Sequence, residues 1–170
     1  MIVEETNLKE VLLIKRNIFK DHRGTFVETF NLDELKEKEI KIKFVRDCIS
    51  TSKKNVLRGI HYDVKTWKLI QCTYGKIYFV VVDMRREFSQ YLKWQSFILS
   101  DENRHQVLVP PNFGNGHLVL SEHCIFHYKM SEYYDPENEK TLKWDDPKVN
   151  IFWPIKKPIL SKKDSRAKYL

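Results

Sequence analysis

The chain has 170 residues, and its hydrophobic fraction of 42% and aromatic fraction of 13% exclude a wholly disordered protein. It carries 30 basic and 23 acidic residues, a net charge of +7, and no apolar stretch long enough for a membrane helix. Its three cysteines (Cys48, Cys72 and Cys124) are widely spaced without a CxxC pair, so we expect neither a disulfide framework nor a structural zinc site. The length predicts a single domain over residues 1–170.

The positive charge is spread among acidic residues, apart from a basic cluster near the carboxyl terminus. We favour a solvated, lysine-rich surface, and attraction of a small anionic substrate such as a diphosphate is the second interpretation. Nucleic acid comes third because no recognition motif accompanies the charge, and we expect no membrane partner. The amino terminus lacks the pattern of a secretory signal, which predicts a cytoplasmic protein.

In chain order, the first predicted elements are a strand over 11–19, a tight turn over 21–24 and a return strand over 25–30. A short helix is predicted over 32–38, capped by Asn31, with Glu34 completing a capping-box variant. The further strand candidates are Val56–His61, Leu69–Thr73, Ile77–Met84, Trp94–Leu99, Gln106–Val109, His117–Ser121, Ile125–Met130 and Val149–Trp153.

Residues 77–84 are apolar on both alternating faces, which predicts an inner strand covered on both sides. The short connection over 74–76 predicts a hairpin between two of these strands. Many short strands with few and short helices predict an all-β fold, a β-sandwich or barrel of jelly-roll type.

The most informative motif runs from Leu57 to Tyr62 and places Arg58 three residues before His61. Taken alone, such a histidine is more simply a hydrogen-bonded strand residue. A regular strand would also put the two side chains on opposite faces. Both can serve one site only if the strand bends, and Gly59 between them allows a bend.

Four other motifs each have an ordinary structural interpretation when taken singly: a polar hairpin, a stiff turn, core tyrosines and a solvated tail. These motifs are Asp21–Glu28, Val109–His117, Tyr133–Pro136 and Ile159–Asp164. Their order along nearly the whole chain, with Leu57–Tyr62 and Lys68 between them, resembles the nucleotide-sugar 3,5-epimerases. The resemblance implies a cupin jelly-roll and a homodimer whose first strands cross to the partner, with no metal and no nicotinamide cofactor.

The substrates of that family are nucleoside-diphosphate sugars with a ketone at C4, which acidifies the hydrogens at C3 and C5. The resemblance implies that His61 is the base, that Asp164 orients it and that Lys68 stabilises the enolate. It implies that Tyr134 returns a proton from the opposite face of the ring, with Tyr133 as the rival for that role.

The resemblance also implies that Arg23, Phe26 and Glu28 reach the nucleotide, in the neighbouring subunit, and that Arg58 lies near the diphosphate or sugar. Asn115 replaces a sugar-contacting histidine of the family and His117 an aromatic residue, so both are candidate substrate-binding positions. A glutamine that is usual in the family is Asp63 here, and another is Arg46. These departures indicate a changed sugar such as a 4-keto-heptose, a changed nucleotide such as GDP, or epimerisation at one carbon.

Three other classes share the fold. A metal-dependent cupin oxygenase needs a His-x-His motif with a following acid, and His61 is followed by Tyr62 and Asp63. A nucleotide-sugar 3,4-ketoisomerase also acts on 4-keto sugars but moves the ketone. A non-catalytic sugar- or anion-binding cupin would not need the four catalytic residues together.

Overall fold

Thirteen short strands and two short helices make up the computed structural model, which describes residues 1–170. The strands are β1 (Ile2–Glu5), β2 (Leu12–Lys15), β3 (Phe19–Asp21), β4 (Gly24–Phe26), β5 (Arg46–Lys53), β6 (Leu57–Tyr62), β7 (Lys68–Tyr74), β8 (Lys76–Asp83), β9 (Trp94–Ser100), β10 (His105–Val109), β11 (Phe113–Val119), β12 (His123–Met130) and β13 (Lys140–Thr141). The helices are α1 (Leu32–Glu37) and α2 (Lys162–Ser165), and neither is long or apolar enough to cross a membrane.

Two antiparallel sheets form the sandwich. The six-stranded sheet has the order β1-β2-β10-β7-β12-β5, and the five-stranded sheet has the order β13-β6-β11-β8-β9. Fifteen buried residues pack together between the inner faces, with Phe79 and Phe126 in ring contact at 6.2 Å between centroids. The predicted all-β jelly-roll fold is confirmed.

The outer faces of the sheets are covered as well. Residues 142–170 pack on the five-stranded sheet through Leu142, Val149 and Trp153, and α1 packs on the six-stranded sheet through Leu35. Strand β8 therefore contributes apolar side chains to both layers, which confirms the prediction of an inner strand covered on both sides.

The amino-terminal region contains the predicted hairpin and helix, but the strand predicted over 11–19 is two strands, β2 and β3, separated by residues 16–18. The return strand β4 ends at Phe26 rather than Phe30, and the β3–β4 hairpin is exposed along its whole length. Asn31 caps α1 by accepting the N–H groups of the second and third helical residues. Glu34 does not close the capping box, because its carboxylate pairs with Arg16 at 2.9 Å.

One hairpin prediction and one strand prediction are wrong, and the strands β1, β5 and β13 were not predicted. The connection at Gly75 is not a hairpin, because it carries the chain from β7 in one sheet to β8 in the other. Residues 149–153 are irregular, and their apolar side chains are buried by packing on the outside of a sheet rather than by pairing. Strand β5 was not predicted, since its inward side chains include Arg46, Ser50 and Ser52.

Candidate active site

Strand β6 bends in the middle, so that Arg58 and His61 line one cavity. His61 pairs with Asn115 of β11 and Arg58 pairs with His117, which leaves one more residue in β6 than in β11 between the two pairs. Gly59 lies within this bulge with a φ of +112°, and a Cβ there would lie 2.7 Å from a backbone carbonyl oxygen. The bend that the sequence required is therefore present, and only glycine fits it.

This cavity, called the main cavity below, has a volume of about 480 Å³ and opens between the inner faces of the sheets and the carboxyl-terminal segment. It brings together seven of the ten predicted site residues: Arg58, His61, Lys68, Asn115, His117, Tyr134 and Asp164. Residues from three strands and two later segments thus converge on one pocket, which is the usual form of a small-molecule site.

The lining of the main cavity includes a hydrogen-bonded pair formed by His61 and Asp164. Nε2 of His61 lies 2.6 Å from Oδ1 of Asp164, whose side chain is only 3% exposed. Helix α2 positions the carboxylate: Ser161 caps the helix by accepting the backbone N–H of Asp164 at 3.0 Å.

Burial raises the pKa of Asp164, but hydrogen bonds from His61, Ser161 and the Gly59 backbone outweigh it and hold the pKa below its ordinary value. The carboxylate is therefore ionised and accepts the Nε2–H of the imidazole. In that tautomer Nδ1 of His61 carries the free lone pair and can take a proton.

Lys68 is a nearly buried cation at the wall of the main cavity. Burial lowers the pKa of its ammonium group, and the nearby carboxylates of Asp63 and Glu139 oppose that shift. Its Nζ lies 3.8 Å from Oδ2 of Asp63, whose other oxygen accepts two backbone N–H groups. The lysine is thus a fixed positive group that can stabilise negative charge on a bound molecule.

Tyr133 and Tyr134 lie in the loop between β12 and β13, and both are exposed. Tyr134 lines the main cavity, whereas Tyr133 lines only a neighbouring cavity of about 350 Å³, called the side cavity below. The guanidinium carbon of Arg46 lies 5.4 Å from the centre of the Tyr134 ring. Both tyrosines share a cavity with Lys68, but only the main cavity, which Tyr134 lines and Tyr133 does not, also contains His61.

His117 and Asn115 have different surroundings in β11. His117 is buried, and its ring stacks on Phe126 with 4.1 Å between centroids. Its Nε2 has no hydrogen-bond partner, and burial lowers the pKa of the imidazole to about 3, so the ring is neutral. Asn115 donates its amide to the carbonyl oxygen of His61 at 3.2 Å and so holds β6 in place.

Arg23, Phe26 and Glu28 do not join this cavity within one chain. Phe26 is 67% exposed on the hairpin, Arg23 pairs with Asp21 at 2.6 Å, and Glu28 accepts a hydrogen bond from Asn31.

Sequence reasoning missed two charged residues of the main cavity, Arg46 and Glu139. The only signal for Arg46 was its occurrence where the resembling family has glutamine, and Glu139 belonged to no motif. No group of three or more His, Cys, Asp and Glu side chains is placed to hold a metal ion.

Fold and site together define a cupin-like jelly-roll protein with a histidine–carboxylate pair, a buried lysine and a tyrosine around one cavity. A family model described as dTDP-4-dehydrorhamnose 3,5-epimerase matches residues 5–170. The chain belongs to this family.

Relatives and solved structures agree with the family model. The dTDP-4-dehydrorhamnose 3,5-epimerase of Salmonella typhimurium is 39% identical, with 100% of this chain and 96% of that protein covered. The enzyme of Methanothermobacter thermautotrophicus is 38% identical, with 98% and 92% covered. The crystal structure of the Bacillus anthracis enzyme with TDP and PPi bound has a TM-score of 0.95 and 36% identity, covering 99% of both chains.

Proposed function

We propose that this protein epimerises a nucleoside-diphosphate 4-keto sugar, hexose or heptose, at C3, C5 or both, in the biosynthesis of a surface-polysaccharide sugar. The observation that carries the proposal is the 2.6 Å contact between His61 and Asp164 at a cavity that also holds Lys68 and Tyr134. A relative from Legionella pneumophila, 37% identical with a TM-score of 0.94, was solved in complex with dTDP-4-keto-L-rhamnose.

In the proposed reaction, Nδ1 of His61 removes the proton from the carbon beside the ketone. Asp164 holds the imidazole in the required tautomer and stabilises the imidazolium that forms. The electron pair moves onto the C4 oxygen, and Lys68 stabilises the resulting enolate.

Inversion requires a proton from the other face of the sugar ring, and Tyr134 is the proposed donor. Each catalytic proton transfer in this scheme is carried by a side chain, so we propose that no metal and no organic cofactor takes part.

The exposed β3–β4 hairpin supports an exchange of arms between two copies of the chain. Phe19 and Phe26 are 60% and 67% exposed on it, and a lone two-stranded hairpin is marginally stable. We propose a cytoplasmic homodimer in which Arg23, Phe26 and Glu28 complete the partner's site. A monomer that is fully active at nanomolar concentration would contradict this.

Arg58 is proposed to contact the diphosphate or the sugar. Asn115 and His117 stand where the family has other side chains, and both line the main cavity. This supports a substrate whose sugar or nucleotide differs from that of dTDP-4-dehydrorhamnose.

The test is incubation in D₂O with a panel of 4-keto nucleotide sugars, including hexose and heptose, dTDP and GDP forms, followed by NMR. Deuterium at C3 or C5 together with the epimerised product supports the proposal. A product with the ketone moved to C3 would instead identify a 3,4-ketoisomerase, and binding without exchange would identify a non-catalytic module.

The matched variant is His61→Asn, which should retain the fold and lose exchange at every epimerised carbon. Loss of a well-placed general base costs about 10²–10⁴ in rate. Wild-type turnover in His61→Asn would show that the base is another group.

A further inference from the structure

Arg46 is a cation of the main cavity that the proposed mechanism does not use. It is the first residue of β5 and pairs in register with Met130, the last residue of β12. The loop that carries Tyr134 leaves β12 at that point, so the arginine lies at the base of the loop.

The guanidinium of Arg46 has almost no polar partners. Its Nη1 is buried without a hydrogen-bond partner, and its Nη2 makes only a long contact of 3.9 Å to the sulfur of Cys48. The adjacent carboxylate of Asp47 is instead paired with His127 and Lys129. A partly buried cation without a carboxylate partner is free to act on another group.

One aromatic ring faces this guanidinium: the centre of the Tyr134 ring lies 5.4 Å from the guanidinium carbon of Arg46. A cation over the face of a tyrosine ring is attracted by the ring quadrupole. The attraction grows when the ring becomes a phenolate, because the interaction is then between opposite charges.

The hydrogen bonds of the loop are made by residues on either side of Tyr134, such as Asp135, which accepts the backbone N–H of Glu137 at 3.2 Å. Ser131 is anchored by a backbone hydrogen bond to Trp67 at 3.0 Å, and β13 begins again only at Lys140. Arg46 and Tyr134 both line the main cavity and the side cavity, so the ring stands at the boundary between the two. Its orientation there decides whether the hydroxyl faces the substrate.

We propose that Arg46 is a positioning residue that holds Tyr134 at the main cavity and stabilises the phenolate left after Tyr134 donates its proton. The inference rests on the proposed function and adds a residue to it. Arg46 acts on the return of the proton and leaves its removal by His61 unaffected.

The experiment measures two rates in D₂O with the accepted 4-keto nucleotide sugar: deuterium entry into recovered substrate, and formation of epimer. Arg46→Gln and Arg46→Met both remove the charge. Two such variants are used so that a folding defect in one of them does not decide the result. The ratio of exchange to inversion should rise by about two- to five-fold, the factor that corresponds to an exposed cation–π contact. Arg46→Lys, which keeps the charge, should restore most of the wild-type ratio.

A double-mutant cycle gives the decisive comparison. In a Tyr134→Phe background, Arg46→Gln should leave the ratio unchanged, because the group that Arg46 positions has gone. Arg86→Gln is the matched control, since Arg86 lines a different cavity and should leave the ratio at the wild-type value.

An unchanged ratio with a raised KM would make Arg46 a substrate-binding group, and an unchanged ratio with only a lowered Tm would make it structural. Either result overturns the inference while leaving the proposed function in place. Failure of the proposed function would look different, because the wild-type protein would then exchange no deuterium with any sugar of the panel.

Discussion

The buried imidazole of His117 should make folding less stable in acid, and His117→Phe should reduce that acid sensitivity. The ring stacks on Phe126, its Nε2 has no partner, and burial lowers the pKa to about 3. Phenylalanine keeps a ring in the stack and removes both the titration and the unsatisfied nitrogen. The variant should therefore be at least as stable as the wild type at pH 7.

The magnitude follows from proton linkage. Below pH 6.5 the unfolded chain protonates this histidine while the folded chain does not, so stability falls as the pH falls. Each pH unit below 6.5 lowers the free energy of unfolding by about 1.4 kcal/mol, so the 1.5 units between pH 6.5 and pH 5 lower it by about 2 kcal/mol. Any folded-state pKa well below 5 gives the same difference.

Urea unfolding at pH 7 and at pH 5, at one protein concentration and ionic strength, measures the loss of unfolding free energy. The loss should be about 2 kcal/mol larger in the wild type than in His117→Phe. His105, whose pKa burial also lowers, is present in both proteins and cancels in the comparison. Equal losses in the two proteins would refute the reasoning.

Three further substitutions and one control variant test the site. Tyr134→Phe should uncouple exchange from inversion, so that deuterium still enters the substrate while epimer formation falls by a larger factor. The control Tyr133→Phe should leave the ratio of exchange to inversion unchanged. Equal loss of both rates in Tyr134→Phe would mean that the acid is another group. Asp164→Asn should slow exchange by less than the factor of about 10²–10⁴ expected for losing the base, and a loss as large as that of His61→Asn would contradict an orienting role. Gly59→Ala should lower the Tm and the exchange rate together, because its Cβ would lie 2.7 Å from a backbone oxygen, and a wild-type Tm would argue against the bulge.

Local features of the fold were predictable because their causes lie within a few residues. The helix near Asn31 was predicted to within one residue of its end, since a cap acts on the next turn. The prediction that β8 is covered on both sides followed from the apolar pattern of the strand itself. Strand β5 was missed because its inward side chains are polar, and the structure shows why: Arg46 and Ser50 form a wall of the main cavity.

The wrong predictions have a common physical origin. The apolar run ending at Trp153 resembles a strand, but its burial comes from packing on a sheet that is distant in sequence. The turn at Gly75 looks like a hairpin connection, and only the pairing of β7 and β8 with other strands shows that it joins two sheets. Periodicity records that a residue is buried and not what buries it.

By itself, the sequence determined the types of residue available for chemistry, the order of the motifs and the need for a bend at Gly59. The tertiary structure alone decided which of them meet. His61 and Asp164 are 103 positions apart and come to 2.6 Å only because β6 bends and the final segment folds back over the sheet. The tertiary structure also places Arg46 beside Tyr134 and leaves Arg23 on an exposed hairpin. Antiparallel sheets join distant segments through the packing of the whole chain, so no local pattern encodes those distances.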